Sequence, residues 1–203
     1  MKPNEKMTDG QGNEVALFPM EYLYLSTARN PAEHQLLAMD FFGWTAQGRT
    51  FDVPCYAPFT CRVTYTGNDH NMICQSVNPV RYVDGTLDYA TVLVAHSDTA
   101  PPVVGTIIQQ GDLWYHTGNY GQSTGDHLHM EVAKGKQTWD TGGLNLKNAY
   151  HMYDMLAVND TLVKRGMNYN WRNYDGGVTP SLESRINKRF PWVLYAKKLR
   201  QGL

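Results

Sequence analysis

The sequence predicts a mostly β protein: an antiparallel sandwich or barrel-like fold with a central groove and few short helices. Three observations carry this. Thirteen Tyr, five Trp and six Phe stand beside 18 Gly and 10 Pro, residue types that suit strands and tight turns rather than long helices. Short apolar or β-branched runs recur along the chain with turn residues between them. Hydrophobic residues make up 42% and charged residues 18% of 203 positions, a composition that buries a core in one domain, or in one domain with an appendage.

The elements follow in order. Residues 1–15 read as a loose polar lead, and Ala16 to Ser26 as an apolar, Tyr-rich stretch supplying a first strand. Leu36 to Phe42 is an apolar run, followed by a loop through Gly43, Gln47 and Gly48. Val53 to Tyr65 alternates as a single strand. Gly67-Asn68-Asp69 is a hairpin signal, with Asn71 to Val77 as the return strand. Thr91 to His96 is β-branched and buried in character, and Val103 to Gln109, Leu113 to His116 and Leu128 to Ala133 are further short strands. Residues 148–158 read equally as a short helix or an aromatic strand, and 164–181 as loop. Leu182 to Lys188 is placed to start a helix that Pro191 interrupts. The expected division is a lead and first strand in 1–30, a core in 31–135, and an extension in 136–203 packed on or beside that core.

The net charge of −1 selects no nucleic-acid partner. Residues 181–203 carry six Lys or Arg against one acid, leaving the remainder at −6; such a run is expected as a solvated tail. Three cysteines, Cys55, Cys61 and Cys74, make no disulfide framework, although Cys61 and Cys74 flank the predicted hairpin and should lie near each other. The polar start, Met1-Lys2-Pro3-Asn4-Glu5-Lys6, lacks the apolar core of a signal peptide. No run approaches the roughly 18 apolar residues that span a bilayer, so no membrane insertion is expected.

Chemistry concentrates at Asp126-His127-Leu128-His129-Met130-Glu131. On a strand, residues i and i+2 share a side, so His127 and His129 present two imidazoles to one face, and Glu131 alternates onto the same face. Two rings so close suit a metal or a proton relay, whereas an isolated H-x-H pair is more often a wet strand face. Upstream stand His34 with Asp40, and His96. Catalytic zinc takes about three protein ligands and keeps one position open. The remaining histidines read as bystanders: His70 exposed in the hairpin turn, His116 packing or lining a cleft, His151 structural. Asp98 is placed to support His96, and Asp126 to orient the motif turn or simply to be solvated.

At these residues the chain resembles the lysostaphin/LytM-type zinc endopeptidases, which cut the peptide part of peptidoglycan. Gly121-Gln122-Ser123-Thr124-Gly125-Asp126-His127-Leu128-His129-Met130-Glu131 meets every fixed position of that family's Gly-x-Ser-x-Gly-x-His-Leu-His-x-Glu signature. Other pieces follow in the family's order: His34 and Asp40-Phe41-Phe42, Tyr56-Ala57-Pro58-Phe59, Val92-Leu93-Val94-Ala95-His96, a hairpin over Val104 to Asp112, and Thr117-Gly118-Asn119. One departure stands out. Five residues separate His34 from Asp40 where the family most often has three, a longer form similar to certain bacteriophage lysins of the group.

The resemblance implies His34, Asp40 and His129 as zinc ligands, His127 as the base that activates water, and His96 as the residue that stabilises the developing oxyanion or orients the water. It implies a zinc-dependent endopeptidase acting on stem or cross-bridge peptides of bacterial peptidoglycan, in a phage endolysin made without a signal in the host cytoplasm. The alternatives are a tail-associated wall hydrolase and an inactive wall- or partner-binding member. A lipoyl- or biotin-carrying hairpin would need a lysine at its tip, and Gln109-Gln110-Gly111 offers none.

Overall fold

A computed structural model of the chain describes residues 1–28, 37–140, 143–144 and 148–176. The predicted Leu182 to Lys188 helix and the basic 181–203 segment lie outside these residues. The mostly β architecture expected from the sequence is what is observed. In chain order the strands are β1 (Tyr22–Ala28), β2 (Met39–Phe41), β3 (Trp44–Thr45), β4 (Gly48–Arg49), β5 (Pro54–Tyr56), β6 (Cys61–Thr66), β7 (Met72–Ser76) and β8 (Val80–Arg81). Then come β9 (Leu87–Asp88), β10 (Ala90–Ala95), β11 (Ile107–Ile108), β12 (Leu113–His116), β13 (Leu128–Lys134), β14 (Trp139–Asp140), β15 (Gly143–Leu144) and β16 (Leu162–Arg165). One short helix, α1 (Met152–Met155), resolves the open reading of 148–158 and buries Met152 and Met155.

Eight strands form one sheet in the order β11-β6-β7-β10-β13-β2-β1-β16. Its pairs are antiparallel except for β1 with β16. Central strand β10 is buried along its whole length, as a strand covered on both faces must be. One face carries the main core, where Val92, Val94, Leu128, Met130 and Val132 pack with Phe18, Phe41, Phe59 and Trp114. The opposite face carries a small cluster of Ile73, Leu93, Ala133 and Leu144, with Tyr65 against it.

Three expectations are corrected. Residues 1–15 are not a loose lead: Met1 and Val15 are buried, and the Glu14 carboxylate accepts from Thr60 N and Thr60 Oγ1, both at 2.6 Å. The predicted Val53–Tyr65 strand is two strands, β5 and β6. Pro58 has no N–H to offer a ladder, and its carbonyl instead accepts from Leu17 N and Gln110 Nε2 at 3.0 Å each. The predicted 104–112 hairpin does not close on itself. Because its partner strand is split, β11 pairs with β6 and β12 with β5.

The Gly67-Asn68-Asp69 hairpin forms as expected, joining β6 to β7. It brings Cys61 and Cys74 together as buried free thiols in hydrogen-bond contact. Among the described residues no helix is long and apolar enough to cross a membrane.

Candidate active site

Strand register assembles the site. Across β13 and β2, His129 lies directly opposite Asp40; across β13 and β10, it lies opposite Ala95, the residue before His96. His127 enters just before β13 through a bridge to Gly118. Three segments far apart in sequence thus deliver Asp40, His96, His127 and His129 to one place, each less than a tenth exposed. The His96 ring centroid is 4.7 Å from that of His127 and 5.7 Å from that of His129. His34 lies outside the described residues.

Hydrogen bonds define what each ring offers. His127 Nδ1 is 2.7 Å from Gly125 O. A carbonyl only accepts, so Nδ1 carries the proton and Nε2 the lone pair. That Nε2 is buried without a hydrogen-bond partner and lies 3.7 Å from Asp40 Oδ1. His96 Nδ1 donates to Tyr120 O at 2.9 Å, which leaves its Nε2 as an acceptor too. Burial holds His96 down at about 4, against the pull of the Tyr120 carbonyl and Asp40 and with help from the neighbouring rings, so it is neutral at pH 7.

His129 is different. Its Nδ1 faces Asp40 Oδ1 at 3.0 Å and its Nε2 faces Glu131 Oε1 at 3.2 Å. Burial favours the neutral ring, but hydrogen bonds to the two carboxylates outweigh it and push His129 up to about 9.

The chain turns sharply to make this arrangement. His96 follows β10 directly with φ 83°, a left-handed conformation that a non-glycine residue adopts only when its surroundings enforce it. The enforcement is reciprocal: Tyr120 N donates to His96 O at 3.0 Å while His96 Nδ1 donates to Tyr120 O. Gly118 makes the approach possible, because a Cβ there would strike His96 O and sit 2.5 Å from Asp98 N.

Several expected bystanders have other positions. His70 is half-buried rather than exposed: its Nδ1 lies 2.8 Å from Ser97 O and its ring stacks on Tyr120 at 3.9 Å. Asp98 does not support His96; it accepts from Asn119 N at 3.2 Å. Asp126 accepts from Asp52 N at 3.1 Å, which ties the motif turn to residues 74 positions upstream. His116 lines a pocket with Ser97, Pro101 and Trp114, and its Nδ1 lies 2.9 Å from Asp52 Oδ1. His151 precedes α1 and stacks on Tyr153.

The donor set suits a cation. Two carboxylates and three imidazoles are buried together, with one imidazole nitrogen lacking a partner. Asp40 oxygen and His129 nitrogen, 3.0 Å apart, are the ligand types that zinc takes. Among the described residues no group of three His, Cys, Asp or Glu has the geometry to hold a metal.

No protein-family model matches the chain. A phage protein, Morphogenesis protein 1 of Bacillus phage B103, is 30% identical over 171 residues, 81% of this chain. The chain spans just under half, 46%, of that relative's length. Among solved structures, the catalytic domain of lysostaphin from Staphylococcus simulans is 16% identical with a TM-score of 0.42, covering 73% of this chain and 88% of that one. A zinc-containing peptidase from Vibrio cholerae is 16% identical with a TM-score of 0.41, covering 64% of this chain and 40% of the other.

Proposed function

We propose that the chain is a zinc-dependent endopeptidase that hydrolyses peptide bonds in the stem or cross-bridge peptides of bacterial peptidoglycan. The observation that carries the reading is the convergence of Asp40, His96, His127 and His129, with each ring's orientation fixed by a hydrogen bond at Nδ1. In this reading Asp40 and the Nδ1 of His129 hold zinc, and His34 completes the ligand set. Bound zinc supplies Lewis-acid polarisation of the scissile carbonyl and lowers the pKa of water.

The two other histidines do the proton work. His127 Nε2, buried and partnerless, accepts the proton of the attacking water and passes it to the leaving amine. His96 is neutral with its lone pair at Nε2, so it orients the water by accepting a hydrogen bond. With its Nδ1 proton given to Tyr120 O, it turns an acceptor nitrogen inward, which supports orienting the water over donating to an oxyanion in this reading.

The test compares zinc content and release of new amines from purified cell walls. Wild type is expected to hold about one zinc per chain. His129→Ala loses the metal, whereas His127→Ala keeps it and turns over about 10²–10⁴-fold more slowly. A wild type that takes up no zinc, or that carries zinc and releases no amines, overturns the reading. Loss of zinc in His127→Ala but not in His129→Ala shows the two roles reversed.

The setting we propose is a bacteriophage, either as a lysin released into the host cytoplasm or as a hydrolase carried on the virion. The 30% identical phage relative is named a morphogenesis protein, and this favours the virion-borne setting over a free endolysin. Finding the chain by mass spectrometry in purified particles supports that choice; finding it only in the soluble lysate reverses it.

A further inference from the structure

The signature's last residue, Glu131, has no role in the mechanism above, yet it is buried two residues beyond His129 on the same face of β13. Each of its oxygens meets one donor: Oε1 faces His129 Nε2 at 3.2 Å, and Oε2 accepts from Leu144 N at 2.9 Å. Leu144 belongs to the β14–β15 hairpin beyond the expected core boundary at 135. Its side chain packs with Ile73, Leu93 and Ala133, and Trp139 of the same hairpin stacks on Tyr65 at 5.3 Å. The hairpin is thus fastened to the site face of the sheet through both of its strands, and its backbone holds the carboxylate that holds the ring.

We infer that Glu131 is a positioning residue that fixes the ring and tautomer of His129, and that the β14–β15 hairpin sets Glu131 in place. This rests on the reading of His129 as a metal ligand. An ionised carboxylate only accepts, so Glu131 requires the ring proton at Nε2. Nδ1 of the metal-free ring also faces a carboxylate, Asp40 at 3.0 Å, so holding the proton at Nε2 keeps Nδ1 as the nitrogen that would be freed for a cation. Carboxylate partners of this kind raise ligand basicity, and their loss costs about 10–100-fold in metal affinity. Glutamate is specific for the task. Two donors need two acceptor oxygens, and glutamine, of equal size, has one acceptor and one donor. Glutamine therefore serves His129 or Leu144, not both.

The experiment uses the full chain with zinc alone as the probe, in competition with a chromophoric chelator. Nitrogen-15 spectra of the metal-free imidazoles are recorded alongside. Glu131→Gln is expected to fold with wild-type circular dichroism, to bind zinc about 10–100-fold more weakly, and to lose the protected Nε2 proton of His129. Wild-type zinc affinity in Glu131→Gln overturns the inference. So does loss of affinity with the Nε2 proton signal unchanged, because the effect would then not pass through the ring. Failure of wild type itself to bind zinc overturns the ligand reading and the inference with it, and is told apart because the variant then has no reference affinity to lose.

Discussion

Replacing Gly118 with alanine should damage the site through backbone alone. The added methyl meets His96 O, Asp98 N at 2.5 Å and Ser97 Cα at 2.8 Å. Ordinary contact between carbon atoms is about 3.5–4.0 Å, so the 96–98 backbone must withdraw by about 1 Å. No side chain can rotate away to absorb this. Overpacking of this kind costs about 1–3 kcal/mol. The withdrawal also strains the paired bonds between His96 and Tyr120 and the bridge of Gly118 to His127, where the two N···O distances are 3.2 and 3.0 Å. Each buried hydrogen bond lost adds about 1 kcal/mol. A total near 3 kcal/mol lowers the melting temperature by roughly 6–12 °C in a chain of this length. Because His96 and His127 move apart, activity should fall at temperatures where the variant remains folded. The control is Gly125→Ala, two residues before His127, where the added Cβ meets only Arg49 Nη2 at 4.0 Å. Melting curves and wall-hydrolysis rates of the two variants decide. Equal melting temperatures and equal rates would refute the claim that close backbone approach at Gly118 builds the site.

Two further outcomes are expected. In the metal-free protein, His129 has its pKa raised to about 9 and His96 has its pKa lowered to about 4. The folded state therefore holds the His129 proton more tightly than the unfolded chain does; that stabilisation, about 3 kcal/mol, is complete below pH 6.5 and lost as pH rises through 9. His96 acts oppositely, its contribution being present above pH 6.5 and lost as pH falls toward 4. Thermal melts with chelator should peak between these limits, and a melting temperature that climbs steadily from pH 7 to 9 would contradict the His129 assignment. Separately, Glu14→Ala removes two 2.6 Å bonds to Thr60 and should cost about 1.5–3 kcal/mol, as bonds to a charged group do. An unchanged urea midpoint would show that the first fifteen residues do not brace the fold.

Strand content was legible because alternation and β-branched runs report burial directly: β10, β13 and the β6–β7 hairpin fall where the pattern puts them. The failures share one cause. Periodicity is local, whereas the split of β5 from β6 and the separate partners of β11 and β12 are set by contacts tens of residues away. The packing of the lead has the same origin, since Glu14 pairs with Thr60. At the site, side-chain types were legible and their partners were not. Asp98 looked like a support for His96 because it is near in sequence, but the support is the Tyr120 carbonyl, which no residue type advertises. Glu131 did leave a signal. Its i+2 spacing from His129 put it on the same face, and only the Leu144 backbone reveals what the second oxygen does.

The same limit explains how two histidines of one short motif come to differ. His127 and His129 are two residues apart, so period-2 reasoning treats them as equivalent donors on one face. Their environments separate them. His127 sits at the bridge to Gly118, where its Nδ1 meets neutral oxygens, Gly125 O at 2.7 Å and Ser123 Oγ at 3.4 Å, and its Nε2 has no hydrogen-bond partner. His129 sits one step inside the sheet, opposite Asp40, with a carboxylate at each nitrogen. In the proposed reading, a cation at Asp40 would take the place of the proton at His129 Nδ1, with Glu131 holding the one at Nε2. His127 would meet that cation with its Nδ1 proton already given to Gly125. The division of labour proposed between ligand and base would therefore come from the start of β13: one residue lies outside the ladder and takes a backbone partner, and the other lies inside it and takes two side chains.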